Sequence, residues 1–318
     1  MLYYFFDWLH NLHVPGTGAF LYTSTRVALS FLLSLILTFV LGKKIIRFLQ
    51  KKQIGDTIRE LGIEGQTKKI GTPTMGGIII ILSIVIPSLL LGRLNNLYLW
   101  LLIVTTLWLG GVGLIDDYIK VFKHNKEGIP AWGKLFGQIV LGIAIGGVLY
   151  FSPQSPLETP KSENSTHTEI TTSKVSNKVK TLDTTVPFFK NHNFNYSYIV
   201  PSCLKEYAEP VGWFFFIVMS VLVITSVSNG VNMTDGLDGL ATGCSAIVGA
   251  VLLLLTYVGT HTGISSYLNI MYIPQSEEIV IFLGTFVGAT VAFLWFNAYP
   301  AQVFMGDTGS LSIGGIIA

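Results

Sequence analysis

The sequence predicts an all-α polytopic membrane protein, and three observations predict it. Half of the 318 residues are hydrophobic, only 12% are charged, and the mean hydropathy is +0.58. Soluble domains carry roughly 25% charged residues, so this chain could not cover its own surface with polar groups. Seven apolar runs of about 16 to 20 residues recur, each long enough to cross a hydrocarbon core of roughly 30 Å as a helix. Basic residues gather in alternate connections between those runs, as the positive-inside rule requires. Strands are excluded because lipid cannot satisfy the backbone groups of an open sheet edge. Net charge, +2, says little, and Cys203 and Cys244 have no metal or redox spacing. No nucleic-acid partner is expected.

The first ten residues, Met1 to His10, are aromatic and lack the basic start of a cleavable signal, so they read as an interfacial segment. The predicted spans are 22–42, 75–92, 97–115, 135–151, 211–228, 239–258 and 279–296. Residues 43–69 hold Lys43, Lys44, Arg47, Lys51, Lys52, Arg59, Lys68 and Lys69, and residues 120–134 add Lys120, Lys123, Lys126 and Lys134. The connection 92–97 carries only Arg93, and 259–278 carries no Lys or Arg. Residues 43–74 and 116–134 are therefore expected in the cytoplasm, with 229–238 and 297–310 beside them by alternation and the N-terminus outside. Segment 152–210 is expected to be an extracytoplasmic insertion within a single membrane domain, 1–318. It is Ser/Thr/Asn/Lys-rich and flexible to Thr185, then aromatic and resting on the membrane surface. An eighth run starts at Leu311 and covers eight residues, about 12 Å of helix, so about seven and a half spans are present and the chain looks cut within a helix.

Five acids abut these spans: Asp116, Asp117, Asp235, Asp238 and Asp307. All fall in connections assigned to the cytoplasm, although no acid entered that assignment. Ionisable groups at membrane depth are costly, which makes them functional candidates. Asp116 and Asp117 repel one another, and ionising both beside a low-dielectric slab calls for a cation. Magnesium suits an all-oxygen set that must also hold phosphate. If the helix runs past Ile115, Lys120 shares a face with Asp116 and Asp117; a helix-end salt bridge would explain the same residues. In the stretch from Ser228 to Leu240, a span ends in a Gly-punctuated turn where Asp238 could cap the next helix. Capping alone leaves Asn229, Asn232 and Asp235 unexplained. Asp307 sits in the tight turn Gly306-Asp-Thr-Gly309 and either heads its helix chemically or merely caps it. Phe304 either stacks on a base or lies at the interface. The turn from Lys68 to Gly77, with Thr74, suits phosphate oxygens or a topology-setting basic flank. Together these turns suggest metal-assisted phosphoryl transfer to or from a lipid.

Four stretches, Lys69-Ile-Gly-Thr-Pro-Thr-Met-Gly-Gly77, Asp116-Asp-Tyr-Ile-Lys120, Asn232-Met-Thr-Asp-Gly-Leu-Asp-Gly239 and Phe296-Asn-Ala-Tyr-Pro-Ala-Gln-Val-Phe-Met-Gly-Asp-Thr-Gly-Ser310, resemble the phospho-N-acetylmuramoyl-pentapeptide-transferase family. That family belongs to the polyprenyl-phosphate N-acetylhexosamine-1-phosphate transferases. The resemblance covers nearly the whole chain outside 152–210. It implies a ten-helix fold in the bacterial cytoplasmic (inner) membrane with its active site on the cytoplasmic side, Mg²⁺ as cofactor, and a homodimer. It implies that undecaprenyl phosphate attacks UDP-N-acetylmuramoyl-pentapeptide, yielding lipid I and UMP, the first membrane step of peptidoglycan synthesis. Asp307 would bind Mg²⁺, and Asp116 and Asp117 would handle the lipid phosphate, one as the base. Lys69, Thr74, Asn232, Asp235, Asn297 and the Gly306 turn match the nucleotide-sugar pocket. Gly236, Leu237, Asp238 and Phe304 would hold the uridine, and Lys120 and Lys134 would meet phosphates. The chain departs from the family in the 152–210 insertion and in lacking the histidine-rich loop and two helices expected after the eighth span; His124, the one cytoplasmic histidine, lies in another loop. Two rivals are a sister transferase of N-acetylglucosamine-1-phosphate and a carboxylate-lined transporter. Transporters place coupling acids on broken helices near the midplane, whereas these acids lie at span ends.

Overall fold

The structure is a computed structural model that describes residues 1–51, 72–123, 125, 127–152, 158–159, 179–180, 183–185, 193–196, 208–268 and 270–318. Its helices are α1 (Leu2–Asn11), α2 (Thr23–Lys51), α3 (Gly77–Leu91), α4 (Leu97–Phe122), α5 (Ala131–Phe151), α6 (Ala208–Thr234), α7 (Leu240–Gly259), α8 (Thr262–Tyr267), α9 (Glu277–Asn297) and α10 (Gly306–Ile317). Six of them, α2, α4, α5, α6, α7 and α9, are long and apolar enough to cross a membrane, and α3 is a shorter apolar helix. The chain is a multi-pass membrane protein.

Helix α9 is the hub. It packs against α2, α7 and α3, and Phe282, Phe286 and Phe293 lie fully buried in one core with Ile79, Ile80 and Ile84 of α3. A bilayer gives such packing no hydrophobic drive between helices, so small residues and interhelical hydrogen bonds hold the bundle. Ser34 of α2 donates to the carbonyls of Ser83 and Thr285, 2.7 Å each. Arg26 and Glu278 pair at 2.8 Å, about 1% exposed, at the end of α9 remote from Asn297. Helices α4, α5, α6 and α10 form a second group around the buried cluster of Leu109, Leu141, Ile224 and Leu311.

All seven predicted spans are helices, but the ends moved. Helix α4 runs past Ile115 to Phe122, and α6 continues through Asn229 and Asn232 to Thr234, where a turn was expected from residue 228. Tertiary partners carry α6 on: Asn229 exchanges hydrogen bonds with Gln138 of α5, and Asn232 accepts one from Ser310. In the other direction, α3 starts only at Gly77. Residues before it run beside the turn preceding α10, with Phe304 N–H bonded to Pro73 O, and Gly76 and Gly77 N–H bonded to Phe304 O and Met305 O. Both short helices, α3 and α10, thus begin below the ends of α4 and α6, and this recess holds the site.

Helix α1 is a ten-residue helix with no buried residue, and the Met1 ammonium before it donates to the carbonyls of Leu89 and Leu90 of α3. Within the insertion the described residues form two short antiparallel ladders, Glu158–Thr159 with Val179–Lys180 and Asp183–Thr185 with Asn193–Asn195. Phe194 and Tyr196 pack on Tyr150 of α5 and Trp213 and Phe216 of α6. The described part of the aromatic stretch therefore rests on the bundle, its rings meeting edge-on. Lys68, Lys69, His124, Lys126, Cys203 and the rest of the insertion lie outside the described residues.

Candidate functional site

The recess gathers charged side chains from three helices. Asp116, Asp117 and Lys120 project from the last two turns of α4, Lys134 from the first turn of α5, and Asp307 from the first turn of α10. Because α4 remains helical, Lys120 reaches its i−4 neighbour Asp116 at 2.6 Å and extends to Asp307 Oδ2 at 3.2 Å. Lys134 makes the same pair of contacts, 3.0 Å from Asp116 Oδ2 and in close contact with Asp307 Oδ2. Two ammonium groups thus bridge two carboxylates. The other Asp116 oxygen accepts the Ile129 N–H at 2.6 Å. Asp116 is fully buried, whereas the Lys120 side chain keeps 29% of its surface exposed. Charge is therefore desolvated at the floor and reachable from the rim.

Asp117 faces the other way. Its Oδ1 accepts the Asp307 N–H at 3.0 Å, and its Oδ2 accepts the Thr308 N–H at 2.9 Å and the Thr308 hydroxyl at 2.6 Å. Helix N-termini leave backbone N–H groups without intrahelical partners, and here a carboxylate from another helix takes two of them. Met305, the residue that precedes α10, supplies no cap. The approach is tight enough to exclude side chains. A Cβ on Gly306, whose φ is +71°, would lie 2.6 Å from Asp117 Oδ2, and one on Gly113 would lie 2.2 Å from the Asp307 carbonyl oxygen. A Cβ on Gly77 would meet the Gly309 nitrogen at 2.1 Å. Gly76 and Gly77, where the turn from Lys68 enters α3, therefore seat Phe304 and α10 by close packing.

The remaining candidates spread along the rim and the wall. Gly236 and Leu237 lie exposed in the turn between α6 and α7, with Leu237 67% exposed. Asp235, just beyond α6, is pushed up to about 7 by burial and by the carboxylates of Asp307, Asp117 and Asp238. Asp238 accepts the Ala301 N–H at 3.3 Å. It does not cap α7, whose N-cap is Gly239 at φ +77°; a left-handed glycine closes that turn instead. Asn297 is buried and committed: it accepts from Gly239 N–H and the Thr242 hydroxyl and donates to Val303 O at 3.0 Å. It braces the turn that carries Phe304, which is half-buried, rather than lining an open surface. Thr74 is buried, and its hydroxyl finds no partner among the described residues. Lys69 lies outside them. Three positions that sequence reasoning passed over belong to the framework: Thr308, Ser310 and Gln138. Thr308 and Ser310 stand in the quoted Asp307 motif, and Gln138 is a buried amide one turn beyond Lys134, a signal visible in an otherwise apolar run.

Asp116, Asp117 and Asp307 each offer a carboxylate oxygen within 4.8 Å of the others. Oxygens about a small hard cation at 2.0–2.1 Å stand at most about 4.2 Å apart, so a slight closure lets the triad hold one divalent ion.

Residues 99–318 match the family model described as Glycosyl transferase family 4. Over its whole length the chain is 51% identical to a phospho-N-acetylmuramoyl-pentapeptide-transferase of Parabacteroides distasonis, 53% identical to one of Porphyromonas gingivalis and 48% identical to one of Flavobacterium johnsoniae. It spans 76%, 76% and 78% of those relatives' lengths.

Proposed function

The chain belongs to glycosyl transferase family 4, and we propose from that membership that it transfers phospho-N-acetylmuramoyl-pentapeptide from UDP-N-acetylmuramoyl-pentapeptide to undecaprenyl phosphate, giving lipid I and UMP. The three relatives above carry this activity in their names, and that favours it over transfer of N-acetylglucosamine-1-phosphate. An oxygen of the lipid phosphate forms a bond to the sugar-linked phosphorus as the bond from that phosphorus to the UMP oxygen breaks.

The observation that carries the mechanism is the double bridge of Lys120 and Lys134 between Asp116 and Asp307. Each lysine can swing from a carboxylate to a phosphate oxygen without leaving the recess, and so neutralises the incoming diphosphate. Asp116 takes the proton that remains on the acceptor phosphate. Asp307, with Asp116 and Asp117 beside it, would hold Mg²⁺, which would add neutralisation of phosphate charge worth several kcal/mol in comparable sites. Phe304, Gly236, Leu237 and Asp238 hold the uridine at the exposed rim. Lys69, Thr74, Asn232, Asp235 and the Gly306 turn border the sugar and diphosphate, with Asn297 acting from behind the turn. The basic residues flanking this end, Lys43, Lys44, Arg47 and Lys51 on α2 and Lys123 after α4, support a cytoplasmic-facing site in the bacterial inner membrane. We take the assembly to be a homodimer, which mass measurement in detergent would check.

The test is UMP release from UDP-N-acetylmuramoyl-pentapeptide by the purified protein, with and without polyprenyl phosphate and Mg²⁺, and with UDP-N-acetylglucosamine as competing donor. Release that needs both additions and the muramoyl donor is expected. Preference for the N-acetylglucosamine donor, or no release from either, would overturn the proposal.

A further inference from the structure

We propose that Asp117 is a positioning residue: by capping α10 from α4, it aims Asp307 at the reacting phosphates and takes no part in proton transfer. This rests on the phosphoryl-transfer mechanism just proposed and assigns the two adjacent aspartates different work. Asp117 Oδ2 already accepts two hydrogen bonds and Oδ1 one, all from residues 307 and 308. An sp² carboxylate oxygen has two lone pairs, so only Oδ1 has capacity for one further partner. That partner can be an ion shared with Asp307. By contrast, Asp116 spends its oxygens on one backbone N–H and on two lysine side chains that can let go.

The surroundings are arranged for the same task. Gly306 and Gly113 leave no room for a Cβ between α4 and the first turn of α10. Thr308, fully buried, points its hydroxyl at Asp117. On the far side of α10, Ser310 donates to Asn232 of α6 at 2.9 Å. The first turn of α10 is thereby held from two sides, and Asp307, the residue between Gly306 and Thr308, has its backbone fixed while its carboxylate stays on the rim at 14% exposure. A displacement of about 1 Å at a catalytic group can cost roughly 100-fold in rate, and a carboxylate cap is the device that prevents it here.

Two variants test this, each read in two ways. Thr308→Val keeps the side-chain shape and removes one donor to Asp117; Asp117→Asn replaces one acceptor oxygen by a donor that faces Asp307 and Thr308. Amide hydrogen exchange measured on peptides covering residues 305–309 should quicken by roughly tenfold in Asp117→Asn, and by less in Thr308→Val. Turnover should fall by roughly 100-fold and 10-fold respectively, with nucleotide-sugar KM and the shape of the pH profile kept, and the double variant should be no worse than Asp117→Asn alone. Unchanged exchange in Asp117→Asn would overturn the proposal. So would wild-type turnover in Thr308→Val together with a pH limb lost in Asp117→Asn, because that pattern belongs to a base. Hydrogen exchange needs no turnover, so it decides the capping role even if wild-type protein releases no UMP and the proposed activity fails.

Discussion

Replacing Gly113 with alanine isolates the contact that seats Asp307. The new methyl would sit 2.2 Å from the Asp307 carbonyl oxygen, 2.4 Å from its carbonyl carbon and 2.6 Å from Thr308 Cα. Carbon contacts are optimal at about 3.5–4.0 Å, so the intrusion exceeds about 1 Å, and every atom it meets is backbone. No side chain can rotate away; α4 and α10 must part. Overpacking of this kind costs typically 1–3 kcal/mol, which a bundle of this size should survive folded. The chemistry should not survive it, because a shift of about 1 Å at the reacting groups is worth roughly 100-fold. Gly111 provides the control: it lies on the same helix two residues earlier, and a Cβ there would meet nothing within 4 Å. UMP release per folded enzyme, with the melting temperature in detergent, should show Gly113→Ala down roughly 100-fold and Gly111→Ala within about twofold of wild type. If Gly113→Ala stays folded and turns over like Gly111→Ala, Asp307 is not held by this contact and the geometric account of the site is wrong.

Three further outcomes are expected. Phe304→Ala should raise the KM for the nucleotide substrate by roughly tenfold, the loss of one base stack, and an unchanged KM would leave Phe304 a turn residue. Asp235 sits at about 7 in the fold against an ordinary value of 3.8, so between those pH values the folded chain binds more protons than the unfolded one and stability falls as pH rises through that window. Asp235→Asn should therefore flatten the drop in melting temperature between pH 5 and pH 8 in EDTA, whereas parallel curves would refute the carboxylate crowding. Deleting residues 155–184 should leave UMP release in detergent largely intact, since Phe194 and Tyr196 of the insertion pack beside Tyr150, at the end of α5 remote from Lys134; loss of activity would tie the insertion to the site.

The spans were legible because lipid removes the alternatives: an apolar run of 18 residues has little choice but to be a helix. Their ends were not, because neighbours decide them. Asn229 and Gly230 read as a turn, yet Gln138 and Ser310 offer the asparagines of α6 partners that keep it helical. Of the site, the acids and Lys120 were legible as costly charges beside apolar runs, and the four motifs carried the family. Residue roles were harder. The cap on α10 joins positions 190 residues apart, and no local pattern announces it; a Gly-Asp-Thr-Gly turn looks self-sufficient. Asn297 came into the candidate pocket only through the family motif, and no local pattern shows the three hydrogen bonds by which it braces the turn before α10. The turn from Lys68 to Gly77 was legible for its Lys and Thr, and only the facing Gly309 backbone shows that Gly77 also serves as a spacer.

The account depends on carboxylates from α4 and α10 sharing one divalent ion beside Lys120 and Lys134. Electron paramagnetic resonance of Mn²⁺ titrated into the purified protein tests it most directly, in wild type and in Asp307→Asn. One tightly bound ion per chain, lost in Asp307→Asn while the variant keeps its melting temperature, is the predicted result. Binding that is unchanged in Asp307→Asn, or absent from the wild type, would contradict it.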